Sequence, residues 1–454
     1  MDLNKTMEIK KYHIKTWGCQ MNEYDSNRIG EVLQSLGYEH TDIVSECDIV
    51  VLNTCHIREK ATEKIYSDIG RLKIIKDRRK TIGKNLIIAV SGCVAQAEGQ
   101  EIIKRAPIVD LVFGPQTWHK LKDMISSIED NHKRVCNTDF PVEEKFDNLP
   151  TNFDKSRIVN NSAFLAIQEG CDKFCTYCVV PYTRGAEYSR PIWQVLNECE
   201  LLVKEGAKEI TLLGQNVNAY HGLNFDNTSI SLGQLIRKLS TIENLKRIRY
   251  TTSYPAEVDD DLILAHKDVE KLMPFLHLPI QSGSNKILHL MNRRHSVDEY
   301  LKLIDKLRNA NPNLAFSSDF IVGFPGESDE DFKDTLKIIE EVQFIQAYSF
   351  AYSIRPGTPA GLMENQINED IKLERLHILQ DLLSKYQIKF NNDSVGKVYD
   401  VLLTKEGKKN NQLVGKSPYM QAVCVDTTTN KLGDIVKVKI TQANPNSLFG
   451  DIIV

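Results

Sequence analysis

Short apolar runs alternate with longer amphipathic stretches over the first ~140 residues, a pattern of strands and helices that favours an open parallel α/β sheet. Three of the apolar runs are His13–Gly18, Asp48–Thr54 and Leu86–Gly92, and each leads directly into a cysteine: Cys19, Cys55 and Cys93. The polar stretch Phe140–Pro150 then reads as a linker. Beyond it Ala163–Gln168 is a strand candidate. Ile192–Glu205 is an amphipathic helix with Ile192, Leu196, Cys199 and Val203 on one face, ending at Gly206, so Cys199 belongs to a core. Further strand candidates fall at Glu209–Leu213, Arg247–Thr251, Phe275–Ile280, Ala315–Val322 and Ala347–Tyr352. Between them Ser296–Glu299 and Ser328–Asp331 have the form of helix N-termini. About six such β/α units predict a barrel or partial barrel, whose chemistry sits at the C-terminal ends of its strands. From about Asn391 only short strands separated by turn residues remain, which predicts a small all-β barrel. The expected domains are therefore 1–150, 151–390 and 391–454.

Composition narrows the class. A chain of 454 residues with 41% hydrophobic and 26% charged residues is ordinary for a soluble globular protein. No apolar run approaches the roughly 18–20 residues of a membrane span, and Met1–Lys5 has no apolar core, so a cytoplasmic location is expected. Ten cysteines in such a setting read as metal ligands and reduced thiols rather than disulfides. Cys424 alternates with Ala422 and Met420 and reads as packing, while Cys47 and Cys136 carry no partner signal and read as structural or incidental. The net charge of −4 does not announce a nucleic-acid binder, so that possibility rests on local patches. One exists: Arg58–Lys84 holds ten Lys and Arg against four acids, including Arg71, Lys73, Arg78 and Arg79. A solvated helix face is the bland account of such a run. Its position directly after Cys55 favours an RNA surface, and Lys416, Lys437 and Lys439 of the C-terminal barrel add to it.

The most specific chemistry lies in Cys171, Cys175 and Cys178, spaced C-x3-C-x2-C, with Tyr177 just before the last thiol. Closely spaced thiolates suit a soft metal centre, and cysteine is the standard ligand of iron–sulfur clusters. A structural zinc would need a distant fourth ligand. Three ligands on a four-iron cube leave one iron open. Cys19, Cys55 and Cys93 would meet as a second metal site if their strands are neighbours, and are otherwise buried thiols. Polar residues at the barrel strand ends could line a pocket or simply face solvent: Gln215, Asn216, Ser253, Gln281, Ser282, Asp319 and Gly323. Arg355 could bind a carboxylate or phosphate, or sit on a surface turn.

The C-x3-C-x2-C loop resembles that of the radical S-adenosylmethionine (SAM) enzymes. With Gly18–Asn22, Asn53–Ala61, Cys178–Gly185, Leu213–Tyr220 and Gly415–Tyr419, the whole chain resembles their methylthiotransferase family. The resemblance implies an N-terminal domain, a radical SAM partial barrel and a C-terminal TRAM domain. It also implies two 4Fe–4S clusters. The one on Cys171, Cys175 and Cys178 binds SAM and cleaves it reductively to a 5′-deoxyadenosyl radical. The one on Cys19, Cys55 and Cys93 supplies sulfur, which one SAM methylates before a second SAM provides the radical. Arg58–Lys60 and Gln215–Asn218 point to the branch that methylthiolates C2 of N6-isopentenyladenosine at position 37 of tRNA. The alternatives are a ribosomal-protein side chain or threonylcarbamoyl-adenosine in tRNA. A non-enzymatic iron–sulfur RNA-binding or redox-sensing protein would leave the complete barrel unexplained. Implied partners are the anticodon stem-loop, an electron donor such as flavodoxin or ferredoxin, and a cluster-repair carrier, for a monomer away from membranes.

Overall fold

The computed structural model describes residues 9–55, 59–131, 133–149 and 154–453. Met1–Lys5, His56–Arg58 and Pro150, which entered the sequence reading, lie outside them. The chain divides into two compact units, one of residues 1–157, 169–172 and 179–188, the other of 158–168, 173–178 and 189–454.

The first unit is built on β1 (Lys10–Trp17), α1 (Gln20–Ser35), β2 (Tyr38–His40), β3 (Ile49–Thr54), α2 (Glu59–Thr81) and β4 (Ile87–Ser91). There follow α3 (Cys93–Glu98), α4 (Gln100–Arg105), β5 (Leu111–Phe113), α5 (Leu121–Asn131), β6 (Val135–Asn137) and α6 (Val142–Asp147). Its six strands form one parallel sheet in the order β2-β1-β3-β4-β5-β6. Both faces are covered, which is why Ile49–Leu52 of β3 and Ile87–Val90 of β4 are apolar without alternation. Ile49, Val51, Ile87 and Ala89 pack beneath α1 and α5, while Val50, Leu52, Ile88 and Val90 pack against Ile65, Ile69 and Leu72 of α2. Strand order reverses between β1 and β3, the crevice where open α/β sheets bind their ligands. The short strands β2, β5 and β6 fall outside the three cysteine-tipped runs singled out in the sequence, and Cys136 lies in β6.

Phe140–Pro150 is not a free linker. It contains α6, whose Lys145 and Phe146 are buried. Polar composition misled here because Lys145 is polar for an internal reason: it neutralises two buried carboxylates.

The second unit opens with β7 (Ser162–Ala166); the brief β8 (Gln168–Glu169) and β9 (Tyr188–Ser189) are each divided between the two units, and α7 (Val180–Arg184) belongs to the first. Then come α8 (Ile192–Lys204), β10 (Glu209–Leu213), α9 (Leu232–Ser240), β11 (Arg247–Tyr250), α10 (Asp260–Asp268), β12 (Phe275–His277), α11 (Asn285–Leu290) and α12 (Val297–Ala310). The series closes with β13 (Ala315–Val322), α13 (Asp329–Val342) and β14 (Gln346–Ala351). Strands β11-β10-β7 and β12-β13-β14 form two parallel three-stranded sheets, with a further parallel bridge between Ile248 and Leu272. Those six strands are the partial barrel. Ser296 and Ser328 cap α12 and α13 in capping boxes with Glu299 and Asp331, satisfying backbone donors that each helix start leaves open. Cys199 is buried on the inner face of α8.

The long α14 (Glu369–Asn392) leads to β15 (Val398–Glu406), β16 (Gln412–Lys416), β17 (Ala422–Asp426), β18 (Ile435–Asn444) and β19 (Ser447–Ile452), a closed barrel ordered β15-β16-β17-β19-β18. Tyr399, Val401, Val423, Val438 and Leu448 fill it. Within this unit Arg247 and Arg249 of β11 tie the barrel down. Arg247 donates to the carbonyls of Lys416 (3.0 Å) and Asp400 (2.5 Å), and Arg249 to those of Pro418 (2.9 Å) and Ser417 (3.2 Å). No described helix is long and apolar enough to cross a membrane.

Candidate functional site

In the first unit β1, β3 and β4 are immediate neighbours, so Cys19, Cys55 and Cys93, one residue or two beyond their ends, converge at the strand-order reversal. Glycine permits the approach. Gly18 (φ +140°) leaves no room for a side chain, since a Cβ there would sit 2.6 Å from the Cβ of Cys55. Gly92 (φ +87°) would press one to 2.4 Å from the Thr54 carbonyl oxygen. The Cys55 thiol lies within hydrogen-bonding reach of both other thiols. Those hydrogen bonds from Cys55, working against burial and helped by the charge of Arg184, hold Cys19 and Cys93 below the ordinary thiol range. They raise Cys55.

Arg184 is one corner of a buried charge square. Its Nη1 meets Asp25 Oδ2 and Glu169 Oε1, each at 2.7 Å. Lys145 Nζ meets the same two residues at 3.1 Å (Asp25 Oδ1) and 2.6 Å (Glu169 Oε2). Gln116 Nε2 donates to Glu169 Oε1 (2.9 Å) and to the Arg184 carbonyl (2.8 Å). Two cations against two anions make the burial tolerable, whereas removing one corner would leave an uncompensated buried charge. Sequence reasoning missed this square. Arg184 lay in a string already singled out, but nothing in the sequence joins Asp25, Lys145 and Glu169 to it. Three soft thiols, of which Cys19 and Cys93 are depressed toward the thiolate and Cys19 also reaches the surface, form a donor set that fits an iron–sulfur cluster with one open side.

The second thiol set lies on the loop after β8. In the first unit that loop begins at Gly170 (φ +79°), where a Cβ would strike the Ala186 carbonyl oxygen at 1.9 Å, and Cys171 N–H donates to the Gly185 carbonyl. In the second unit the stretch through Cys175 and Cys178 is a tight turn, with Cys178 N–H donating to the Cys175 carbonyl at 2.9 Å. The end of α11 fastens it. Thr176 N–H donates to the Met291 carbonyl and its hydroxyl to that of Leu290, while Asn292 Nδ2 donates to the carbonyls of Lys173 and Phe174. Tyr177 is packed edge-on against Phe324. Burial first, and then the neighbouring Cys175 and Asp319, push its phenol well above the ordinary value, so it stays neutral.

The strand-end candidates divide. Gln215 and Asn216 both donate their N–H groups to Gln168 Oε1, and the Asn216 side-chain amide donates to Glu257. Asn216 Oδ1 and Ser253 Oγ are buried without a hydrogen-bond partner among the described residues. Such orphaned polar atoms fit a polar small molecule such as SAM. Gln281 (φ +80°) links to β13 through its backbone, and Asp319 faces His277 Nε2 at 3.5 Å. Ser282 turns the other way. It is fully buried, within hydrogen-bonding distance of Thr335 Oγ1 on α13 and accepting from Ser284 N–H, so it anchors the loop and offers nothing to a ligand. Gly323 N–H donates to Glu327, and a Cβ there would meet Lys372 at 2.3 Å. Arg355 is half-buried, close to Tyr352.

Of the basic residues, Arg71, Lys73 and Arg78 are exposed along α2. Arg79 is not. Its guanidinium is buried, bonded to Asp48 (2.5 Å) and to the carbonyls of Asn85 and Ser45, so it is a structural tie and unavailable to a partner. Lys416 is about one-third exposed and lies 4.0 Å from the Glu209 carboxylate.

Comparison with known proteins agrees with this architecture. Residues 165–339 match the radical SAM superfamily. TsrM, a radical SAM methyltransferase from Kitasatospora setae solved with cobalamin and a [4Fe-4S] cluster, shares the fold at 13% identity and TM-score 0.58, covering 78% of this chain and 77% of its own. The cobalamin-dependent SAM radical enzyme OxsB does so at 13% identity and TM-score 0.54, covering 83% and 56%. The class is therefore that of the radical SAM enzymes. Residues 11–114 match the uncharacterized protein family UPF0004, and 393–453 match the TRAM domain. These three in this order are the signature of the methylthiotransferases of the MiaB and RimO type, and the chain belongs to that family.

Proposed function

We propose that the protein is of the MiaB type and methylthiolates C2 of N6-isopentenyladenosine at position 37 of tRNA, one SAM giving the methyl group and a second serving as radical source. The observation that carries this reading is the convergence of Cys19, Cys55 and Cys93 at three adjacent strand ends, a thiol set additional to the one on loop 171–178. An enzyme that only cleaves SAM needs the second set alone. In this reading Cys171, Cys175 and Cys178 hold a 4Fe–4S cluster that, with SAM bound, supplies one-electron cleavage of SAM, and Cys19, Cys55 and Cys93 hold the sulfur-donating cluster. Domains 1–150, 151–390 and 391–454 divide sulfur supply, SAM chemistry and RNA grip.

The chain's own residues then have definite tasks. Arg184, fixed by Asp25 and Glu169, favours the thiolate form of Cys19 and Cys93 that metal binding requires. The Tyr177 ring, neutral and half-buried against Phe324, shields the neighbouring thiol loop from water. Asn216 and Ser253 offer their unpaired oxygens to SAM, with Gln215, Gln281, Asp319, Gly323 and Arg355 around the same strand ends. Arg71, Lys73 and Arg78, with Lys416 and the exposed Lys437 and Lys439, attract RNA phosphates while the target base is splayed from its loop. The strings Arg58–Lys60 and Gln215–Asn218 favour the tRNA branch over a ribosomal-protein side chain. The reading places a monomer in the cytoplasm, supplied by a flavodoxin or ferredoxin and a cluster-repair carrier.

Reconstituted protein should bind about eight irons. Alanine at Cys171, Cys175 and Cys178 together should halve that and abolish 5′-deoxyadenosine formation. Alanine at Cys19, Cys55 and Cys93 should halve it while 5′-deoxyadenosine still forms without methylthio product. Full iron in the second variant overturns the auxiliary site. Unchanged 2-methylthio nucleosides in tRNA from a deletion strain overturn the substrate.

A further inference from the structure

The two thiol sets each have an arginine beside them, but in opposite electrostatic settings. Arg184 is matched by Asp25 and Glu169. Arg293, just after α11, is matched by no carboxylate among the described residues. Its Nη2 donates to the Pro279 carbonyl (2.6 Å), and its guanidinium lies 4.3 Å from the centre of the Tyr254 ring. With the plane so fixed, Nη1 points at Cys175 Sγ from 3.8 Å. Its Nε is buried with no hydrogen-bond partner among the described residues. A buried donor without an acceptor is unfavourable, so the guanidinium keeps donor capacity that the protein itself does not satisfy. Backbone carbonyl and aromatic face hold the cation in place without cancelling its charge.

We propose that Arg293 is a positioning residue that directs a charge-assisted hydrogen bond at the Cys175 sulfur and thereby raises the reduction potential of the cluster held there. This rests on the reading of Cys171, Cys175 and Cys178 as cluster ligands. Reduction adds one electron, taken from a low-potential one-electron donor such as a flavodoxin or ferredoxin, and breaks no bond. The reduced state is the more negative one, so a fixed cation and a hydrogen bond to a ligand sulfur favour it over the oxidised state. Asn292, the preceding residue, grips the same loop through the carbonyls of Lys173 and Phe174, which keeps Cys175 in register with the guanidinium. A lysine would keep the charge but lose the planar fork that stacks and donates at once.

The test is potentiometry of the anaerobic holoenzyme, following the electron paramagnetic resonance signal that changes on adding SAM. Arg293→Gln should lower the reduced-to-oxidised ratio of that cluster at least tenfold at a fixed solution potential, a shift of about 59 mV for a one-electron couple. Arg293→Lys should fall between it and the wild type. A wild-type midpoint in Arg293→Gln with its full iron content overturns the proposal. Should Arg293→Gln lose iron, wild-type holoenzyme labelled with 15N-arginine decides: nitrogen coupling to the SAM-responsive signal is expected, and its absence overturns the role. A wild-type holoenzyme with no SAM-responsive signal defeats the cluster reading itself, and this inference with it.

Discussion

His266 shows how burial alone sets a residue's chemistry. It lies on the buried face of α10 with Nε2 2.7 Å from the Tyr250 hydroxyl, and burial holds its imidazole down to about 4 from an ordinary 6.5. Between those values the unfolded chain binds a proton that the folded chain refuses. Stability should therefore fall as pH drops from 6.5 to 4 and change no further on this account below 4. The full effect is roughly 3 kcal/mol. His266→Gln keeps a partner for Tyr250 and cannot titrate, so its denaturant midpoint should be flatter across that window. Equal slopes in the two proteins would contradict the burial argument. The cysteines make the complementary point. Identical in the sequence, they are separated by surroundings: Cys199 is a core residue pushed up to about 12 by burial, while Cys19 and Cys93 are drawn down beside Cys55 and Arg184.

At the scale of the element, α2 carries a run of basic residues whose members do different work. Arg71, Lys73 and Arg78 point to solvent, and Arg79, one position further on, is buried against Asp48. Arg71→Gln, Lys73→Gln and Arg78→Gln together should weaken tRNA binding and reduce the slope of log affinity against log salt by up to about three counterions. SAM cleavage without RNA should not change. Arg79→Gln should instead cost stability, about 2–3 kcal/mol, less than a fully buried pair because Asp48 is one-third exposed. A wild-type salt slope in the triple variant would leave α2 as a solvated face. The helix was legible in the sequence, but which of two adjacent arginines turns inward was not. That choice depends on Asp48 and on the carbonyls of Ser45 and Asn85, which come from other parts of the chain.

For the whole molecule, the attachment of the C-terminal barrel depends on β11. Glu209 is buried, and its carboxyl stays below the usual range because Arg249, with Lys416 and Arg247, outweighs the burial that would raise it. Arg249 bonds Glu209 at 2.8 Å and reaches the carbonyls of Ser417 and Pro418. Arg249→Met should therefore leave a buried, poorly paired carboxylate costing about 3–5 kcal/mol. Faster amide hydrogen exchange across β15–β19 should follow. Unchanged exchange there would show that the barrel holds its place without this tie.

Much of the architecture could be read from the chain because strands and helices leave local signatures. Apolar runs marked β1, β3 and β4, and a change of period marked the final barrel. The C-x3-C-x2-C spacing is local too, since eight consecutive residues contain it. Cys19, Cys55 and Cys93 were legible only as strand-end thiols, and it took the sheet order β1-β3-β4 to bring them together. The Asp25–Lys145–Glu169–Arg184 square and the aim of Arg293 at Cys175 had no sequence signal at all. Their partners are up to 159 positions apart (25 to 184), and charges buried for one another look, along the chain, like any polar residue in a loop. Local pattern determined which elements form and where a thiol is offered. Only tertiary packing decided which charges are buried together, because that depends on neighbours the linear order does not contain.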